Sequence, residues 1–589
     1  KQKTAYEIVD CDWSSDVCSS DLDPATRVGI EADQDPKGRT MHLPHRAARW
    51  LLSALLTLGL PTLAQAALLK VVGWNDLGMH CMDSDYSVFS ILPPFNTLHA
   101  QVIDTSQNKL VTSGVTLSFE ALADLEGSRN TYSVGKTNFW DHAKPLYGVD
   151  LPPGIGLTGL GTAGVQAQGM RWQAGPRLWE AVGIPITPVD DNGRKNTYPM
   201  TRVVARDAST GAELAQARVV LPVSDEMTCV ACHASGAQEA AKPARGWLWD
   251  PRGADKDYRR NILARHDDQH LATARYRSAL KTLGYDRRGL LASADAGHPV
   301  LCAACHASNA LPGTGLTGIS ALTSATHTLH AKAINPGSGL PLGDEKDRGA
   351  CYMCHPGAET KCLRGVMGNA TGPDGLPAMQ CQSCHSTMAQ VGSPKRVGWL
   401  QQPTCQACHH DGRRDLTALN AKGQVKVPKD TRFATNPNVP APGFNLYRFS
   451  QGHGGLQCEA CHGSTHAEYT SSHAADNQVS LDTQGHVGTL SECSACHSGL
   501  KTSTAGGPHG LHTLGQAWVN AHGDRAEGGT QSCAYCHGAD YRGGPLATTK
   551  AARDFNIDGR RKHYEPGQPV GCYDCHNGPG GEGRRSARR

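Results

Sequence analysis

Phenylalanine is scarce in this chain: eight residues among 589, with all aromatics at 6% and methionine at ten. Hydrophobic residues make up 39%, while glycine alone contributes 66 residues. That is a thin supply of large side chains for a length that allows roughly two to four domains. Something besides side chains is expected to fill part of the interior. Net charge is also missing. At +3, the chain lacks the one-signed excess that binding to nucleic acid or an anionic membrane surface would call for. Beyond the first 66 residues no apolar run is long enough for a transmembrane helix. No nucleophile triad and no P-loop is found.

What is abundant is cysteine, at 22, and histidine, at 28. Eighteen of those cysteines fall into nine copies of Cys-x-x-Cys-His. The first three are Cys229-Cys232-His233, Cys302-Cys305-His306 and Cys351-Cys354-His355. Then come Cys381-Cys384-His385, Cys405-Cys408-His409 and Cys458-Cys461-His462. The last three are Cys493-Cys496-His497, Cys533-Cys536-His537 and Cys572-Cys575-His576. This is the attachment signature of c-type haem. Two thiols one helical turn apart can add to the two vinyl groups of one haem, and the next histidine is carried under the iron as its proximal ligand. A zinc ribbon or redox dithiol has no use for histidine after every pair. Nine covalent haems c are expected.

The sixth ligand of each iron separates a wire from an enzyme: histidine on both faces makes a low-spin carrier, and an open face can bind a substrate. Beyond the motifs, the chain after residue 66 holds 17 histidines for nine sites. The distal candidates are His266, His298, His330, His410, His453, His466, His473, His486, His509, His512, His522 and His563. His410 directly follows a proximal histidine, and His298 and His453 stand just before motifs. Few methionines are placed to substitute.

Four cysteines remain. Cys81, beside His80 in WNDLGMHCMDSDY, has three readings: a bridge to Cys362 in ETKCLRGVMG, an approach to a haem iron, or a free thiol. Cys11 and Cys18 lie in CDWSSDVCSSDL, which resembles a translated sequencing-library adaptor at residues 11–22. The first methionine is Met41. After it come the basic HLPHRAAR, the apolar WLLSALLTLGLPTL and the small-x-small Ala64-Gln65-Ala66. That pattern reads as a secretory signal peptide over 41–66, cleaved near Ala66/Ala67. Residues 1–40 are then expected to be non-native upstream sequence. A periplasmic or extracellular location follows, where covalent haem attachment takes place.

The rest divides in two. Residues 67–225 lack haem motifs and carry strand-like runs with turn signals: HAQVID and KLVTSGVTLSFEA around TSQN, then MTRVVARD and AELAQARVVLPV around ASTG. A β-sandwich-like domain is expected there, with LPPGIGLTGLGTAG as loop. Residues 226–589 give roughly 40 residues per motif. Short helices, long loops and porphyrins as core are expected, in a mixed fold overall. One helix candidate runs through DYRRNILARHDDQHLATARYRSALKTLGY, with Ile262, His266 and His270 on one face. The closing EGRRSARR reads as a solvated tail.

Nine such motifs after a signal peptide resemble the large multihaem c-type cytochromes of metal-reducing and related respiring bacteria. The stretches WNDLGMHCMDSDYSVFSILPPFNTLHAQV, KCLRGVMG…MQCQSCH and CHGSTHAEY are similar to segments of such proteins. The resemblance implies electron transfer in anaerobic or metal respiration, with redox proteins or extracellular acceptors as partners. Two alternatives stay open: an oxidoreductase with one five-coordinate haem acting on a small nitrogen or sulfur compound, and a filament or other homo-oligomer. Pentahaem nitrite reductases carry a lysine in the motif of their catalytic haem, and no Cys-x-x-Cys-Lys occurs here.

Overall fold

The computed structural model describes residues 69–579, apart from 163, 165, 372–375, 397–402, 404, 411–412, 415–416, 425, 427–450, 452, 491, 498–514, 528, 531–532, 539, 544–546, 548, 550–551 and 566–567. Side chains of a few further residues, among them His409, His410, His453, Cys493 and Cys536, also lie outside the description.

Alternating apolar residues build two antiparallel sheets in the amino-terminal third. The first runs β1 (Leu69–Asn75), β4 (Thr97–Asp104), β9 (Leu178–Val182), β8 (Arg171–Gln173), with β5 (Lys109–Val111) also on β4; short β2 (His80–Cys81) and β3 (Phe89–Ser90) stand outside it. The second runs β11 (Glu213–Val220), β10 (Met200–Asp207), β6 (Val115–Leu122), β7 (Gln168–Gly169). Val71, Ala100 and Val102 of the first share a core with Leu117, Phe119, Val203, Ala217 and Val219 of the second. The sheets approach closely at Gly73, where a Cβ would sit 2.7 Å from a Val219 methyl.

The period of two then decides what happens on the other face. Val72, Trp74 and Ile103 point away from the second sheet and pack with Leu178, Ala460 and Leu490. β4 is therefore buried at every position. Its outer face meets the haem-motif segment: Gln457 N donates to Gln101 Oε1 at 2.9 Å. Two parallel bridges add to this seam. β12 (Val223–Ser224) pairs with β2, and β13 (Val300–Leu301) with β3.

The loop at 151–164 contains Gly154-Ile155-Gly156-Leu157-Thr158-Gly159. The spacing is that of a dinucleotide-binding loop, but it needs a strand before and a helix after. Here it lies between turns, closed by an isolated bridge from Ile155 to Gly161.

Helices are few and short. α1 is Phe139–Tyr147. The expected single helix through 257–285 is two, α2 (Ala254–His270) and α3 (Ala274–Leu283). Thr273 breaks it: its backbone is extended and its hydroxyl accepts from Tyr276 N at 3.2 Å, capping the second helix. α4 is Leu322–His330. Among the described residues no helix is long and apolar enough to cross a membrane.

Candidate functional site

Each Cys-x-x-Cys-His motif forms about one turn of helix. Five are α-helical turns, at Val230–His233, Cys302–Cys305, Cys381–His385, Cys458–His462 and Ala534–His537. The other four are 3₁₀ turns, starting at Ala350, Cys405, Cys493 and Cys572. A single turn turns residues i and i+3 to one side, which keeps the two thiols of a motif together.

Five motif histidines face a second histidine from elsewhere in the chain. His233 faces His330 at 6.2 Å between ring centroids, and His306 faces His266 at 6.4 Å. His355 faces His327 at 6.3 Å, His385 faces His466 at 6.1 Å, and His576 faces His522 at 5.8 Å. These separations also have a chemical meaning. Metal–imidazole bonds are about 2 Å, so coaxial rings on either side of one metal have centroids roughly 6 Å apart. Ring planes vary from 12° to 86° between pairs. Rotation about the shared axis leaves both nitrogens aimed at the centre, so this variation is compatible with axial ligation.

In six of these ten histidines the second ring nitrogen meets a backbone carbonyl, whereas Nδ1 of His233 and of His266 is buried without a hydrogen-bond partner. Nδ1 of His306 lies 2.8 Å from Ser320 O, of His327 2.7 Å from Thr323 O, and of His330 2.7 Å from Thr326 O. Nδ1 of His466 meets Leu77 O at 3.0 Å, of His522 Val519 O at 2.9 Å, and of His576 Gly578 O at 3.0 Å. His537 meets Val570 O at 2.7 Å and His497 meets Asn108 Oδ1 at 2.8 Å. A carbonyl can only accept, so Nδ1 carries the proton and Nε2 keeps the lone pair. That is the tautomer a metal-bound histidine needs. Burial helps: it lowers the pKa of His233, His266 and His355 to about 4 and of His385 to about 3, with a neighbouring histidine adding to each. Neutral imidazole is the ligating form. The donor set fits haem c: a thiol pair on the motif turn and two imidazoles with ring centroids about 6 Å apart.

The motifs also touch one another. Thr228 N donates to Cys354 O at 3.3 Å, joining the first motif to the third. α4 lies between the same two, offering His330 to the first and His327 to the third. Cys229 and Cys302 pack against one apolar cluster, and Cys461 and Cys496 against another. Tyr541 O accepts from Cys572 N at 2.8 Å, joining the last two motifs.

Of the distal candidates, the structure thus brings His266, His330, His466 and His522 opposite motif histidines. It places four elsewhere. His298 lies beside Tyr285 at 5.3 Å, and His473 stacks on Tyr198 at 3.5 Å. His486 has Nε2 3.7 Å from Glu492, and His563 sits between Asp554 and Glu565. His509 and His512 lie outside the described residues, as do the side chains of His410 and His453. His327 was missing from the candidates. The signal for it is the His-x-x-His spacing on α4, which lets one helix serve two motifs.

Cys81 and Cys362 are both free thiols. Burial, then the neighbouring Cys362, holds the Cys81 thiol well above the usual range. His80 lies beside Phe95, 5.9 Å between rings.

No family model, no curated protein and no solved structure matches this chain.

Proposed function

We propose that this chain is an exported electron carrier holding nine haems c, most of them with histidine on both faces. The observation that carries the reading is the set of five histidine pairs, each spaced for one metal and each with a member from a Cys-x-x-Cys-His motif. When bound, haem supplies reversible one-electron chemistry at iron. The protein supplies the rest. The thiol pairs would fix each group covalently, carbonyls hold six of the ten facing imidazoles in one tautomer, and burial favours the neutral form of His233, His266, His355 and His385. Contacts between residues of the first and third motifs, the first and second, and the sixth and seventh support a relay between neighbouring sites. The paired sheets, read as a β-sandwich-like domain, cover one flank of this array. Periplasmic or extracellular placement, with a redox protein or external acceptor as partner, is part of the proposal and rests on the signal-peptide pattern.

The test is a haem count with low-temperature EPR on holoprotein expressed from Met41 in a host that matures c-type haem. Nine haems, all low-spin, support a carrier. One high-spin haem that shifts on adding nitrite, hydroxylamine or a sulfur oxyanion transfers the chain to the oxidoreductase reading.

A further inference from the structure

The three stretches WNDLGMHCMDSDY, KCLRGVMG and CHGSTHAEY have no place in haem attachment beyond the Cys-His that opens the last. In space they meet at one residue, His466. Its backbone is left-handed, at φ +70°. A side chain tolerates that conformation only where its surroundings over-determine it. Here they do. The His466 carbonyl accepts from Arg364 N at 2.8 Å and from Gly365 N at 2.7 Å. Its N–H donates to Glu468 Oε1 at 2.9 Å. Its Nδ1 donates to Leu77 O at 3.0 Å. Backbone and ring are thus fixed by groups from three parts of the chain.

Two glycines make the approach possible. A Cβ on Gly78 would sit 1.9 Å from Thr465 O. A Cβ on Gly365 would sit 2.3 Å from Glu468 N and 2.2 Å from its Oε2. Each blocking contact includes backbone, which cannot swing aside. The segment bearing Gly365 is itself anchored. Arg364 is 0% exposed and clasps Asp476 with Nε and Nη2, each at 2.7 Å.

We infer that these segments form a clamp whose task is to seat His466 as axial ligand opposite His385, with Gly78, Gly365 and Glu468 as positioning residues. The inference rests on the haem reading above. Without the clamp, a histidine in this strained conformation relaxes and its ring leaves the line to His385.

The experiment uses full-length holoprotein carrying Gly78→Ala, Gly365→Ala, Glu468→Leu, Glu468→Gln or His466→Ala. The control is Gly114→Ala, which has similar φ (+77°) but nothing within 4 Å of its Cβ. Haem content, ferric spin state and carbon monoxide binding to the reduced protein are read for each. His466→Ala is expected to convert one haem in nine to high-spin and to bind one carbon monoxide. The glycine variants and Glu468→Leu are expected to convert part of the same haem. Glu468→Gln, which keeps the acceptor, and Gly114→Ala are expected to match wild type. If His466→Ala leaves every haem low-spin, His466 is not a ligand and the inference falls. If His466→Ala converts one haem but Glu468→Leu and every fully loaded glycine variant stay low-spin, the clamp falls while the ligand stands. A wild-type protein without covalent haem sinks the underlying reading instead. Glu468→Leu introduces no backbone clash, so the test survives a glycine variant that does not fold.

Discussion

The imidazoles of His327 and His355 lie 6.3 Å apart with planes 12° from parallel, whereas those of His266 and His306 lie 6.4 Å apart at 86°. Both spacings suit one metal, but the electronic consequences differ. Parallel ring planes split the two iron d orbitals that overlap imidazole π density; perpendicular planes leave them nearly equal. The ferric protein is expected to show two classes of low-spin EPR signal. The perpendicular pairs His266–His306 and His233–His330 belong to the more anisotropic class. His327→Ala is expected to remove one signal from the less anisotropic class and yield one high-spin haem. Loss from the other class would show that His327 serves a different motif.

Asn108 tests the reach of the sheets into the array. It stands in the turn between β4 and β5, at φ +56°, and accepts from His497 Nδ1 at 2.8 Å. Asp104 Oδ1 stiffens this turn by accepting from Ser106 N and Gln107 N, both at 2.9 Å. A stronger acceptor makes the imidazole a better donor to iron and favours the ferric state. Asn108→Asp is expected to lower the midpoint potential of one haem, and Asn108→Leu to raise it. Spectroelectrochemical titration reads both. Equal curves for the two variants would show the contact to be idle.

The motif turns were legible in the sequence, because the signature is local: two thiols and a histidine within five residues form about one turn of helix without tertiary context. The strands followed from alternation, and the turns at TSQN and ASTG are where β4–β5 and β10–β11 reverse. The facing histidines are different. His330 faces a motif histidine 97 residues earlier and His466 one 81 residues earlier, so proximity in sequence is no guide. His298 and His453 drew notice by standing next to motifs. His327 did not, although its helix lies between two of them. The α2–α3 break escaped because Leu-Ala-Thr carries no glycine or proline, and the deciding event is a hydroxyl cap.

The Arg364–Asp476 pair is fully buried and doubly hydrogen-bonded. Removing one partner strands a charge in the interior, which costs about 3–5 kcal/mol. Asp476→Ala is expected to lower thermal stability by that order, with the unfolding midpoint as the readout. An unchanged midpoint would mean that water reaches Arg364.

Glu459 gives a pH dependence. It is 4% exposed, and Oε1 accepts from Thr465 N at 2.9 Å and Thr465 Oγ1 at 2.6 Å. Burial first, then the charge of Asp76, pushes its pKa up to about 8, with His99 pulling the other way. The folded state therefore holds a proton that the unfolded chain releases near the ordinary carboxylate value of about 4.3. Stability contributed here is full at low pH and falls as pH rises from that value through about 8, with a slope of up to about one proton. Glu459→Gln, permanently neutral, is expected to flatten this part of the stability profile between pH 5 and 8. An identical slope in the variant would remove Glu459 as the source.

The hydrogen bond from His466 to Leu77 spans 389 residues of sequence. A ribosome adding about 5–20 residues per second needs roughly 20–80 s to cover that distance. Throughout that interval the carbonyl that will orient the ring already exists and the ring does not. The pairing of His466 with His385 therefore waits on residue 466, while the last three motifs, from Cys493 onward, are still to be made.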